Sequence, residues 1–168
     1  MRQFTSAAAG KYIRSLEDEK ALLIRREQET STYVRALDER DEPPAYNYAE
    51  MQRHIDDLDR RIRVVRHAVH LFNATCVLPE SNVTIDEALV KLAQMSKKAS
   101  RLATMREILP KQRIDASYPG RQNAIEYRYA NFDVKQVEKD YQTLQEQIHA
   151  LQLEIDLCNQ TKTFEADI

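Results

Sequence analysis

Arginine and tyrosine crowd together over residues 91–128 of this 168-residue chain. That segment carries nine Lys or Arg against three acidic residues, a net of +6, inside a chain whose formal net charge is only -2. The side chains singled out are Lys98, Arg101, Arg113, Tyr118, Arg121, Tyr127, Arg128 and Tyr129. A guanidinium fork grips a phosphate with paired hydrogen bonds, and a tyrosine ring offers a face on which a nucleobase stacks. Arg101, Arg113, Arg121 and Arg128 are the expected phosphate holders, and Tyr118, Tyr127 and Tyr129 the stacking rings. A second reading stays open: the basic strip docks on the chain's own acidic helices, and tyrosines at strand spacing simply cover a core.

Other chemistry finds few parts. The chain holds 2 Gly, too few for a phosphate-cradling glycine loop, and it has no G-x-S-x-G or H-E-x-x-H. His67 and His70 lie three apart on one helix and read as a surface pair, since nothing else with ligand spacing joins them. Glu146 and His149 match the Glu-x-x-His element of di-iron bundles, which needs a second copy that is not here. Cys158 falls on an apolar seam and reads as a small buried hydrophobe. The expectation is therefore a non-enzymatic binder that needs no cofactor and no metal.

Those residues must be positioned by helices. Two glycines, no Trp and 31% charged residues compose long helices rather than sheets. The spacing predicts an all-α single domain over 1–168, with helices at about 6–39, 48–72, 85–109 and 134–161 and a β-hairpin or extended arm at about 111–131. The four long helices would pair as antiparallel hairpins in a helical bundle or coiled coil. In the last helix Val134, Val137, Tyr141, Leu144, Ile148, Leu151, Ile155 and Cys158 alternate in threes and fours, the seam of a helix that faces a partner. Asp133 with Gln136, Asn47 with Glu50 and Thr84 with Glu87 are spaced as capping boxes. In the first helix Lys20, Glu27 and Thr30 interrupt the seam, which implies a half-solvated face.

Seams this long and regular suggest that copies of the chain associate, so a homo-oligomer is expected. No leader-like N-terminus or spanning apolar run is present, which points to a cytoplasmic protein with no membrane partner. The near-balanced total charge gives no field that would recruit a nucleic acid polymer.

Asn73-Ala74-Thr75, Thr84-Ile85-Asp86-Glu87-Ala88-Leu89, Glu126-Tyr127-Arg128-Tyr129, Phe132-Asp133-Val134, and Ile155 with Asn159 together resemble the septicolysin-like family of small bacterial and phage proteins. The resemblance follows element order over nearly the full length. It implies a helical fold with a hairpin insertion and no proven activity. By architecture alone, the chain is also similar to oligomeric phage proteins that sequester nucleotide immune signals, with pockets of arginine, lysine and aromatic rings at subunit boundaries.

Overall fold

A computed structural model describes residues 1–40, 42–114 and 125–168. The described chain runs β1 (Arg2–Thr5), α1 (Ser6–Thr30), α2 (Tyr48–Thr75), α3 (Ile85–Arg106), β2 (Lys111–Ile114), β3 (Glu126–Tyr129), α4 (Val134–Thr161) and β4 (Thr163–Ala166). It is a mostly helical protein with small antiparallel β-ribbons. Its contacts gather into two compact units, Met1–Cys76 with Asp156–Ile168, and Val77–Ile155.

In the first unit α1 and α2 lie antiparallel, with contacts pairing Glu27 to Gln52, Lys20 to Asp59 and Glu17 to Arg66. Thr5 caps α1 by accepting from Ala8 N at 3.2 Å, and Asn47 caps α2 by accepting from Glu50 N at 3.2 Å. Leu16, Leu58 and Ile62 form one buried cluster, and Phe4, Ala9, Val65 and Ala166 form another. Two of the three polar interruptions of the α1 seam, Lys20 and Glu27, find partners outside α1. Lys20 Nζ reaches both carboxylate oxygens of Asp59 at 2.6 and 2.7 Å. Glu27 accepts from Tyr46 Oη at 2.8 Å and Gln52 Nε2 at 2.9 Å.

Helix α1 ends at Thr30, well short of the expected residue 39. Thr30, Ser31 and Thr32 form a run of weak helix formers whose hydroxyls compete for the backbone, and Ser31 N closes the last turn on Glu27 O at 2.8 Å. Beyond it Val34 and Leu37, which continue the apolar spacing of the first helix within its expected range to 39, are fully exposed. The sequence leaves the acidic tail at 164–168 open between fraying and docking through Phe164, and the tail is docked. It forms β4, which pairs antiparallel with β1 so that Phe4 faces Phe164. Phe164 stacks at 5.0 Å on Phe72 and 6.5 Å on Phe4, closing the two ends of the chain over the second cluster. A four-residue strand with an isolated Phe carries too little periodicity to be legible alone.

The second unit pairs α3 with α4, again antiparallel: Arg106 Nε meets Glu138 Oε2 at 3.3 Å, and Ser81 reaches Glu154 near the opposite ends. Ala99 and Leu102 of α3 pack on Val137, Leu144 and Ile148 of α4. Thr84 caps α3 by accepting from Glu87 N at 3.2 Å. The α3 stripe runs through Ile85, Leu92, Met95, Ala99 and Leu102, as apolar spacing along the helix has it, and departs from that spacing at Leu89. Ala88 is fully buried and Leu89 is 43% exposed, because the small side chain lets the helix approach its neighbour and the bulky one is turned out. At α4 the Asp133 carboxylate accepts from Lys135 N and Gln136 N. Gln136 does not reach back to complete a box, and instead donates to Asp140 at 2.7 Å.

The α4 seam answers a larger question. Val137, Leu144, Ile148, Leu151, Ile155 and Cys158 are all buried within one chain. Their regularity is satisfied by the chain's own elements and does not by itself require a second copy.

Candidate ligand-binding face

Helix α3 ends at Arg106, short of the expected 109, and the hairpin β2–β3 starts directly after Pro110, where Ala130 N closes it by donating to Pro110 O at 3.2 Å. Its register sets Lys111 opposite Tyr129, Gln112 opposite Arg128, Arg113 opposite Tyr127 and Ile114 opposite Glu126. Side chains alternate across a strand and directly paired residues share a face. One face therefore carries Lys111, Arg113, Tyr127 and Tyr129, and the other carries Gln112, Ile114, Glu126 and Arg128.

That ladder sorts the expected residues. Tyr127 and Tyr129 do come together, with ring centroids 6.4 Å apart, and Arg113 joins them on the same face. Arg128 is displaced to the opposite face, because a residue between two tyrosines on a strand cannot point with them. Lys98 and Arg101 are exposed on α3 and take no part in the ring contacts of the hairpin. Tyr118 and Arg121 lie outside the described residues.

Lys111 is the member that sequence reasoning missed. Its Nζ stands 4.1 Å from the Tyr127 ring centre and 5.5 Å from that of Tyr129. The arm is expected over about 111–131 without a register, and it is the register that sets Lys111 beside Tyr129. Both rings remain open to solvent, Tyr127 at 42% and Tyr129 at 62% exposure, so the ammonium steadies aromatic faces without covering them. An exposed cation–π contact of this kind is worth about 0.5–1 kcal/mol.

Part of the basic strip does meet the chain's own acidic helix. Arg106 pairs with Glu138 and lies 4.6 Å over the Tyr141 ring, joining α3 to α4. Lys91 borders a different feature, a cleft of about 340 Å³ lined also by Glu80, Ser81, Met95, Gln147 and Glu154. Glu154, buried on α4, accepts from Glu80 N at 2.6 Å, from Ser81 N at 3.0 Å and from the Ser81 hydroxyl. Burial pushes its carboxyl up, but the hydrogen bonds from Ser81 and Glu80, with the charge of Lys91, outweigh burial and hold it below the usual range. Both oxygens are committed to the turn before α3, which makes Glu154 a clamp rather than a general base. The a/d pattern hides it, since Leu151 is followed by an apolar residue at a step of four while Glu154 sits at a step of three.

Comparison with known proteins bears on the fold. No family model and no curated protein matches the chain. A solved structure does: a functionally unknown conserved protein from Corynebacterium diphtheriae, with a TM-score of 0.60 at 15% identity. The match covers 98% of this chain and 100% of that one, so the whole architecture is shared. Among the described residues no helix is long and apolar enough to cross a membrane.

Proposed function

We propose that this chain is a non-enzymatic binding protein that captures an anionic small molecule, with a nucleotide the best fit, on the Lys111, Arg113, Tyr127 and Tyr129 face of its hairpin. The observation that carries the reading is the pair of exposed rings held beside an ammonium group. A nucleobase stacked on one ring gains about 1–3 kcal/mol, and Lys111 and Arg113 offer charge-assisted hydrogen bonds to its phosphates. The expected phosphate role of Arg128 passes to Lys111. Arg101 and Lys98 lie outside the core of this proposal.

The protein acts as a homo-oligomeric helical bundle in this reading. Support comes from apolar side chains left on outer helix faces, Leu71 at 58% exposure and Leu157 at 58%, rather than from the α4 seam. A binder without catalytic groups is what sequestration of a nucleotide signal requires, and the proposed location is the cytoplasm.

Calorimetric titration of ADP into the full chain tests the proposal. Binding that Tyr129→Ala and Lys111→Ala each weaken supports it; ADP, ATP and cyclic nucleotides all giving no heat refutes it. A second reading, a protein-interaction adaptor, is favoured by Ile108, Leu109 and Ile125, exposed at 38%, 58% and 63% beside the same hairpin. A stoichiometric protein partner whose capture survives Lys111→Ala but not Leu109→Ser would select it.

A further inference from the structure

Helix α2 carries a second concentration of positive charge, in the other unit and unrelated to the hairpin. Arg63, Arg66, His67 and His70 stand at steps of three, four and seven from Arg63, which brings all four to one side of the helix. With Asp59 and Ile62 they line an open cleft of about 490 Å³.

Three acidic groups near this cleft are already engaged. Asp59 is held by Lys20 of α1, Glu17 of α1 is taken by Arg66, and Asp57, one turn before, is shared between Arg60 and Arg61. Among the described residues Arg63, His67 and His70 have no hydrogen-bond or ion-pair partner. A guanidinium and two imidazoles thus share a cleft whose carboxylate is neutralised from the other side.

An imidazole pair three residues apart could in principle hold a divalent metal. Two guanidiniums on the same face oppose that, and no third His, Cys, Asp or Glu joins the pair among the described residues. The donors instead suit phosphoryl oxygens: a planar fork from Arg63 and ring N–H donors from His67 and His70, beside an Arg66 already held by Glu17. Their apolar neighbour Ile62 belongs to the buried core, so the floor of the cleft is set by packing.

We propose that the Arg63–His70 face of α2 is a phosphate-recognition site, taking a phosphate or diphosphate group, and that it works independently of the hairpin face.

Inorganic pyrophosphate titrated calorimetrically into the full chain is the test, with phosphatidylglycerol vesicles as a second arm. Arg63 and His67 are both exposed, so Arg63→Ala and His67→Ala keep the fold, which far-UV circular dichroism checks. Losing one charge-assisted pair corresponds to roughly a tenfold or greater loss of affinity. The expected result is pyrophosphate binding weakened at least tenfold by Arg63→Ala, weakened less by Arg63→Lys and unchanged by Lys111→Ala. Vesicle binding with the same Arg63 dependence assigns the phosphoryl group to a lipid headgroup; its absence assigns the group to a free ligand. Pyrophosphate and vesicles both failing to bind, or binding that ignores Arg63→Ala, overturns the site. Because Lys111→Ala and Tyr129→Ala report only on the hairpin, failure of one site is distinguishable from failure of the other.

Discussion

Replacing Glu154 with alanine removes the acceptor for two backbone amides and one hydroxyl at the turn before α3. Glu80 N and Ser81 N approach the carboxylate at 2.6 and 3.0 Å, and the Ser81 hydroxyl adds a third bond. Hydrogen bonds to a charged group contribute about 1.5–3 kcal/mol each, but Glu80 is exposed and water can replace part of what is lost. The expected net cost is therefore about 2–4 kcal/mol, well below the sum of three full bonds. At about 2–4 °C per kcal/mol for a chain of this size, Glu154→Ala should lower Tm by roughly 4–16 °C. Glu154→Gln keeps one acceptor oxygen and should fall between wild type and alanine. The sign of the pH dependence is also fixed. A carboxyl held below its unfolded value stabilises the fold above that value, about 4.3, and the stabilisation is lost as pH falls through the lower folded value. Urea unfolding between pH 7 and pH 3, with hydrogen exchange at the Glu80 and Ser81 amides, measures both effects. A cost under about 0.5 kcal/mol for Glu154→Ala, or an acid dependence unchanged in Glu154→Gln, would refute the clamp.

Three further outcomes follow from the same structure. A Cβ added at Gly10, inside α1, meets nothing within 4 Å, so Gly10→Ala should stabilise by about 0.5–1 kcal/mol in thermal or urea unfolding. Asp59→Ala strands the part-buried Lys20 ammonium and should cost about 1 kcal/mol, whereas Lys20→Leu with Asp59→Leu restores an apolar seam and should be neutral or stabilising, as a double-mutant cycle would show. Phe164→Ala removes both ring contacts that close the chain ends and should cost about 2–4 kcal/mol, with faster hydrogen exchange along β1 and β4.

Much of the helical scaffold was legible because caps and seams are local. Asn47, Thr84 and Asp133 all accept from the amide three residues on, and α4 spans the range its seam marks. The end of α1 was not legible, since Val34 and Leu37 continue the spacing while the chain has left the helix. Periodicity records where apolar side chains fall, not whether a neighbour is there to cover them. The seam of α4 teaches the converse: it forecast burial correctly but could not say whose surface would provide it. At the hairpin the strand period was visible, yet its consequence for Arg128 depended on the register with β2, a pairing that spacing within one strand does not contain. Glu154 and the β1–β4 ribbon rest on contacts far apart in sequence and left almost no local trace.

Tyr127 and Tyr129 of the hairpin are the proposed binding face. Isothermal titration of ADP into the wild-type chain and into Tyr129→Ala measures that most directly. The expected result is saturable heat in the wild type and a loss of affinity of at least about fivefold in the variant, the lower end expected for one lost stacking partner. Equal affinity in the two proteins, or no heat in either, would contradict it.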